Sequence, residues 1–195
     1  MGRTASFSRS DAVNAALILF WRKGYSATSL PDLLEAMGVA RSSFYGTFTD
    51  KRSLFRECLE LFGDRTRRIL VDTAELGCGL EAIRQFFRLT VSEVSDRRLA
   101  CGCMMVNSLV ELEGVDPQLH AIAQQKLDEV QLEFERLVQA AQRAGAIDKQ
   151  RSAAAVASRL MTLNLGLRVQ SRKRLDRQAL QDSIDNGLAA LEIAA

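Results

Sequence analysis

The stretch Thr28-Ser29-Leu30-Pro31-Asp32-Leu33-Leu34-Glu35-Ala36-Met37-Gly38-Val39-Ala40-Arg41-Ser42-Ser43-Phe44-Tyr45-Gly46-Thr47-Phe48 reads as two short helices joined by a tight turn. Thr28 stands as an N-cap, Pro31 falls in the first turn, where its missing amide proton costs nothing, and Asp32 lies near the positive end of the helix dipole. This first helix is expected to run to Met37. Gly38-Val39 then turns the chain, and a second short helix begins around Arg41 and carries Phe44 and Phe48 inward. Two short helices on either side of a Gly-containing turn form a helix-turn-helix.

Helical periodicity extends in both directions. Upstream, Ala12, Val13, Ala16, Leu17 and Phe20 recur at three- and four-residue steps, with Ser10 as the expected cap and Lys23-Gly24 as the stop. Downstream, Asp50 caps a helix with a buried stripe of Leu54, Phe55, Cys58, Leu59 and Phe62, which continues to the break at Gly77-Cys78-Gly79. A helix from Leu80 through Val91 is interrupted around Ser95 to Arg98 and resumes from Cys103 to Leu112. Asp116-Pro117 opens a long helix ending at Gly145, and two more are expected from Asp148 to about Val169 and from Leu175 to about Leu191. The expected fold is all-α.

Composition agrees with an ordinary globular chain: 195 residues, 47% hydrophobic and 26% charged, with 2 Pro and 12 Gly. The uncharged run from Leu99 to Val110 is too short to span a bilayer, and Trp21-Arg22-Lys23 follows the early apolar run where a signal cleavage site would need small residues. Met1-Gly2-Arg3-Thr4-Ala5-Ser6 fits a loose acylation pattern, but a single acyl chain anchors only marginally. A cytoplasmic protein without membrane partners is the expectation. Cys58, Cys78, Cys101 and Cys103 read as free thiols in such a compartment. With His120 as the single histidine and no Cys-x-x-Cys pair or phosphate-binding glycine loop, no metal or cofactor is expected. A small helical cysteine-dependent enzyme would lack a base and an orienting residue. A helical protein-binding adaptor is the other alternative, and salt-dependent DNA binding separates both from a DNA reader.

The stretch from Gly24 to Leu30, then Gly38 to Phe48, then Asp50-Lys51-Arg52-Ser53-Leu54-Phe55 resembles the DNA-binding domain of the TetR family of bacterial transcriptional regulators. The resemblance implies a three-helix DNA-binding domain over 1–52 and a helical ligand-binding and dimerisation domain over 53–195. The implied function is a homodimeric regulator, a ligand- or redox-responsive repressor on a double-stranded, pseudo-palindromic operator. In a helix-turn-helix the second helix offers its N-terminal residues to base edges, so Arg41, Ser42 and Ser43 are the first reading candidates. Arg41 either pairs with a guanine or touches only phosphate. Thr28, Ser29 and Lys51 stand at helix starts where a phosphate can bind, and the resemblance makes Tyr45 a phosphate contact. Ala40 and Gly46 depart from the family pattern, which shifts contacts toward Thr47. Arg3 and Arg9 either add backbone contacts or form a solvated tail. Residues 1–52 hold seven Lys or Arg against four Asp or Glu, and the remainder 19 against 20, so the positive excess lies with the reader.

The penultimate helix is apolar around most of its circumference, and Gly166 in its interior suits close approach of another backbone. Leu160, Leu163, Gly166 and Leu167, with Leu180, Ile184, Leu188 and Leu191 on the last helix, are either a dimer interface or the core of a monomer. Cys101-Gly102-Cys103-Met104-Met105-Val106-Asn107-Ser108 resembles a segment of TetR-like regulators, some of which sense electrophiles or oxidants at the position of Cys103. Cys101 and Cys103 at a helix start with Arg97 and Arg98 nearby meet the conditions for a reactive thiol. The alternative effector is a small-molecule inducer in an apolar pocket, for which Phe86, Phe87, Met104, Met105, Phe134 and Met161 are the candidate lining.

Overall fold

Short polar side chains start most of the helices. The computed structural model describes residues 8–77, 79–173 and 176–191, and all regular elements among them are helical. In α1 (Arg9–Lys23), Ser8 is the N-cap and accepts from the Asp11 amide, two residues ahead of the expected Ser10. Ser29 caps α2 (Leu30–Met37) in a reciprocal box with Asp32. Thr28 does not cap, because its own hydroxyl is taken by the Gly24 carbonyl at 2.6 Å. Gly38 closes α2 in the left-handed region at φ 65°, and α3 (Arg41–Thr47) follows without a side-chain cap at Ala40. Asp50 starts α4 (Lys51–Leu76) in a second reciprocal box, with Ser53.

The head formed by α1, α2 and α3 closes around Phe20, Leu33, Phe44 and Phe48, and Leu54, Phe55, Cys58 and Leu59 from the first turns of α4 complete its core. Phe20 meets Phe55 edge to face at 4.8 Å. From there α4 runs along α8 (Pro117–Arg143), which Asp116 caps by accepting from the Gln118 and Leu119 amides. Arg52 ties the starts of the two helices together by gripping Asp116 through two hydrogen bonds of 2.6 and 3.0 Å. That grip, with help from the Leu119 and Gln118 amides, pulls the Asp116 carboxyl down to about 2.

The expected helix over 80–91 is α5 (Leu80–Phe87) continued by a π turn, Arg88–Ser92. The short α6 (Asp96–Leu99) occupies the expected interruption, and α7 (Met104–Leu112) follows with Cys103 at its N-cap. Helix α9 (Ala153–Ser171) starts later than expected because the Asp148 side chain accepts from the Gln150 amide and Gln142 binds the Asp148 and Arg151 carbonyls, which holds that segment as a turn. Helix α10 (Arg177–Ala189) is capped by Asp176; Leu175, Cys78 and Arg3 lie outside the described residues.

Gly79 sits where α5 begins against α8. Its φ is +37°, and a Cβ there would stand 2.4 Å from the Ala141 amide nitrogen. Both the left-handed backbone and the close approach exclude a side chain. Gly79→Ala is therefore expected to cost about 3 kcal/mol through strain and overpacking, read as a loss of roughly 10 °C in thermal denaturation.

Candidate nucleic-acid interface

Helix α3 is anchored by one residue and leaves the rest to solvent. Phe44 is fully buried and meets Tyr45 edge to face at 5.4 Å, while Arg41, Ser42, Ser43, Tyr45 and Thr47 are all exposed. Arg41 has no hydrogen bond or ion pair among the described residues, so its guanidinium is available to a ligand. A Cβ on Gly46 would meet nothing within 4 Å, which leaves the α3 backbone bare on that side.

The flanking helix starts differ from expectation. Contrary to expectation, Thr28 is fully buried, with its hydroxyl donating to the Gly24 carbonyl and its amide to the Tyr25 carbonyl, which puts it out of reach of a phosphate. Ser29 is exposed, but its hydroxyl and amide both donate to Asp32, which also takes the Lys23 ammonium at 2.9 Å. The Lys23 hydrogen bond and then those from Ser29 hold the Asp32 carboxyl at about 2, so the start of α2 carries its own anion. Lys51 is half-buried, with its ammonium 4.4 Å from the centre of the Tyr25 ring. Burial pushes its pKa down, opposed by Glu111. Arg9 is bound to Glu57 by two hydrogen bonds of 2.6 and 2.8 Å, which fixes α1 to α4 rather than leaving a loose tail.

Glu111 gave no sequence signal, because its partners are 85 and 86 residues away. Its carboxylate on α7 accepts from the amides of Tyr25 at 2.9 Å and Ser26 at 2.6 Å, in the loop between α1 and α2. A Cβ on Gly24 would strike it at 2.7 Å. The body of the protein thus holds the head by a charge-assisted clamp.

Two family models match this chain: one for bacterial regulatory proteins of the tetR family over 12–58, and one for a tetracycline repressor-like C-terminal domain over 79–186. The chain belongs to the TetR family. The HTH-type transcriptional regulator YezE of Bacillus subtilis strain 168 is 29% identical over 194 residues, covering 98% of this chain and 100% of YezE. The HTH-type transcriptional repressor ComR of Escherichia coli K12 is 35% identical over 115 residues, covering 57% of this chain and 54% of ComR. A solved structure of a cysteine mutant of the TetR family regulator CifR, in complex with a 26-base-pair double-strand operator DNA, matches with a TM-score of 0.78 and 28% identity over 97% of this chain and 100% of that one. As a TetR-family member this protein is a helix-turn-helix DNA-binding regulator of transcription and not an enzyme.

The regulatory half of this TetR-family chain corrects several expectations. Phe86, Phe87 and Phe134 pack on one another at centroid distances of 5.1 to 6.0 Å, and Met104, Met105 and Met161 are buried with them. These six are packed in the core. A cleft of about 470 Å³ lies instead between the head and the body, walled by α1, α4, the π turn, α6 and α9.

Cys103 is buried and Cys101 half-buried. The Cys101 thiol donates to the Arg97 carbonyl at 3.2 Å, and Asn107 holds the Cys101 carbonyl while taking a hydrogen bond from Arg172. Arg168 on α9 is the cation that interacts electrostatically with Cys103. Of the expected interface residues, Leu160, Leu167, Leu180, Ile184, Leu188 and Leu191 are buried within the chain, where α10 packs on α9. Leu163 and Gly166 are less buried than these six, and with Leu160, Leu167 and Leu191 they line a groove of about 440 Å³ that also takes in Thr162, Gln170, Ser183 and Gly187. No helix among the described residues is long and apolar enough to cross a membrane.

Glu111→Ala is expected to free the Tyr25 and Ser26 amides, raising their hydrogen–deuterium exchange and lowering stability by about 2 kcal/mol. Unchanged protection of those two amides would remove the clamp from the account.

Proposed function

We propose that this chain is a homodimeric repressor that reads a pseudo-palindromic operator through α3 and releases it when an effector changes how the head sits on the body. The observation that carries this reading is α3 itself: buried through Phe44 alone, it presents Arg41, Ser42, Ser43, Tyr45 and Thr47 together on its solvent side. Lys51, at the start of α4, flanks it as a phosphate contact. The operator complex of CifR and the repressor name of ComR support the same assignment.

Dimerisation places two reading helices about 34–36 Å apart, one turn of duplex. The α9/α10 groove suits a second copy, because Gly166, Ser183 and Gly187 let backbones approach and Leu163 supplies an apolar ridge. Leu163→Asp is expected to convert the dimer to monomer in sedimentation while leaving helicity intact. The double variant Arg41→Ala/Lys51→Ala is expected to lose operator binding in a gel shift on the DNA upstream of its own gene, with dimer mass unchanged. Retained affinity would refute the reading helix.

A thiol-reactive effector is a second reading, favoured by Cys103 standing at the start of α7 opposite Arg168. Helix α7 ends at the Glu111 clamp, so an adduct at its start is mechanically linked to the α1–α2 loop. N-ethylmaleimide is expected to release the operator from the wild type and from Cys101→Ser, but not from Cys103→Ser. Release that survives in Cys103→Ser would assign sensing elsewhere.

A further inference from the structure

The cleft between head and body has more hydrogen-bond donors than acceptors. Its wall includes three guanidinium groups, Arg65, Arg98 and Arg168, and no carboxylate. The Arg98 side chain has no hydrogen bond or ion pair among the described residues. Among the described residues the Arg65 side chain donates only to the Asn14 side chain, at 2.6 Å, and the Arg168 side chain only to the Thr90 carbonyl, also at 2.6 Å. Each guanidinium carries five N–H donors and cannot accept. The indole nitrogen of Trp21, in the same wall, is buried without an acceptor. The Thr66 and Thr90 hydroxyls donate to the Phe62 and Phe86 carbonyls and, among the described residues, accept from none of the three guanidinium groups.

The rest of the wall is apolar. Leu17, Ile18, Phe62, Ile69, Leu89 and Val94 line it, and Ile18 and Leu89 remain 45% and 40% exposed at the rim. A volume of about 470 Å³ lies within the range of small-molecule sites. Arg168 is the most buried of the three cations, and its burial lowers its pKa. Cations and orphan donors against an apolar wall are matched by one kind of ligand: an anionic head that accepts hydrogen bonds, on an apolar tail.

We propose that this cleft binds an amphipathic anion, a carboxylate or phosphate monoester with an alkyl or aryl tail, with Arg168, Arg98 and Arg65 taking the head and the apolar wall taking the tail. Its role as effector rests on the regulatory reading above; its binding does not. The wall spans α1 of the head and α4 and α9 of the body, and the Arg65–Asn14 hydrogen bond crosses from α4 to α1. An anion that draws Arg65 to itself removes that link, so binding acts on the attachment of the head.

Trp21 is the single tryptophan and lies in the wall, so its emission reports on occupancy. The full chain, free of DNA, is titrated with octanoate, octyl phosphate and octanol. A saturable change is expected with at least one of the two anions, with affinity about tenfold or more above that for octanol. Which anion binds tighter separates a carboxylate ligand from a phosphate one. Arg98→Gln and Arg168→Gln are each expected to weaken the anion by about tenfold and leave octanol unchanged. Arg98 is exposed on α6, so its variant keeps the test valid should Arg168→Gln fail to fold. Octanol binding as tightly as the anions, anion affinity unaltered in Arg98→Gln, or no saturable response to either anion would each overturn the proposal. Because no DNA is present, such a failure leaves the operator reading untouched, and a failed gel shift leaves the cleft untouched.

Discussion

Three helices of 15, 8 and 7 residues cannot bury Phe20, Leu33, Phe44 and Phe48 by themselves, and the core of the head closes only because Leu54, Phe55, Cys58 and Leu59 arrive from α4. The same α4 continues for 26 residues, about 39 Å, along the long α8. A head completed by a helix of the body cannot ignore the body's conformation. That shared helix makes a small movement beside α8 a movement of the surface that carries Arg41.

The head is attached at several points of different strength. The Arg9–Glu57 and Arg52–Asp116 pairs hold α1 and the start of α4, but they lie largely in solvent, where ion pairs contribute little. The Glu111 clamp differs, because one carboxylate satisfies two backbone amides that the loop would otherwise leave to water. Its position at the end of α7, whose start is Cys103, puts the contact to the head and the thiol on one nine-residue helix. The cleft lies beside a separate attachment, between Arg65 and Asn14.

Local chemistry was legible in the sequence wherever it acts within one turn. Asp50, Asp116 and Pro117, Gly24 and Gly38 stand where their cap and turn preferences put them. Thr28 and Ser29 are both good caps, and the fold of the preceding loop chose between them: it buries Thr28 and turns its hydroxyl onto the Gly24 carbonyl four residues back. The aromatic and Met stripe illustrates another limit, since periodicity shows which side of a helix is buried but not whether rings or a ligand fill the space beside it. Leu180, Ile184 and Leu188 are ambiguous in the same way, as an apolar stripe meets its own chain or a copy with identical patterning. Glu111 on Tyr25, and Arg168 opposite Cys103, pair residues too far apart in sequence for any local pattern to announce.

Cys58 lies fully buried in the core that α4 shares with the head, where burial drives its thiol well above the usual range and its only polar partner is the Val13 carbonyl at 3.8 Å. Such a sulfur stays protonated and out of reach of peroxide or hypochlorite. Oxidants therefore leave untouched the one cysteine that the head's core contains.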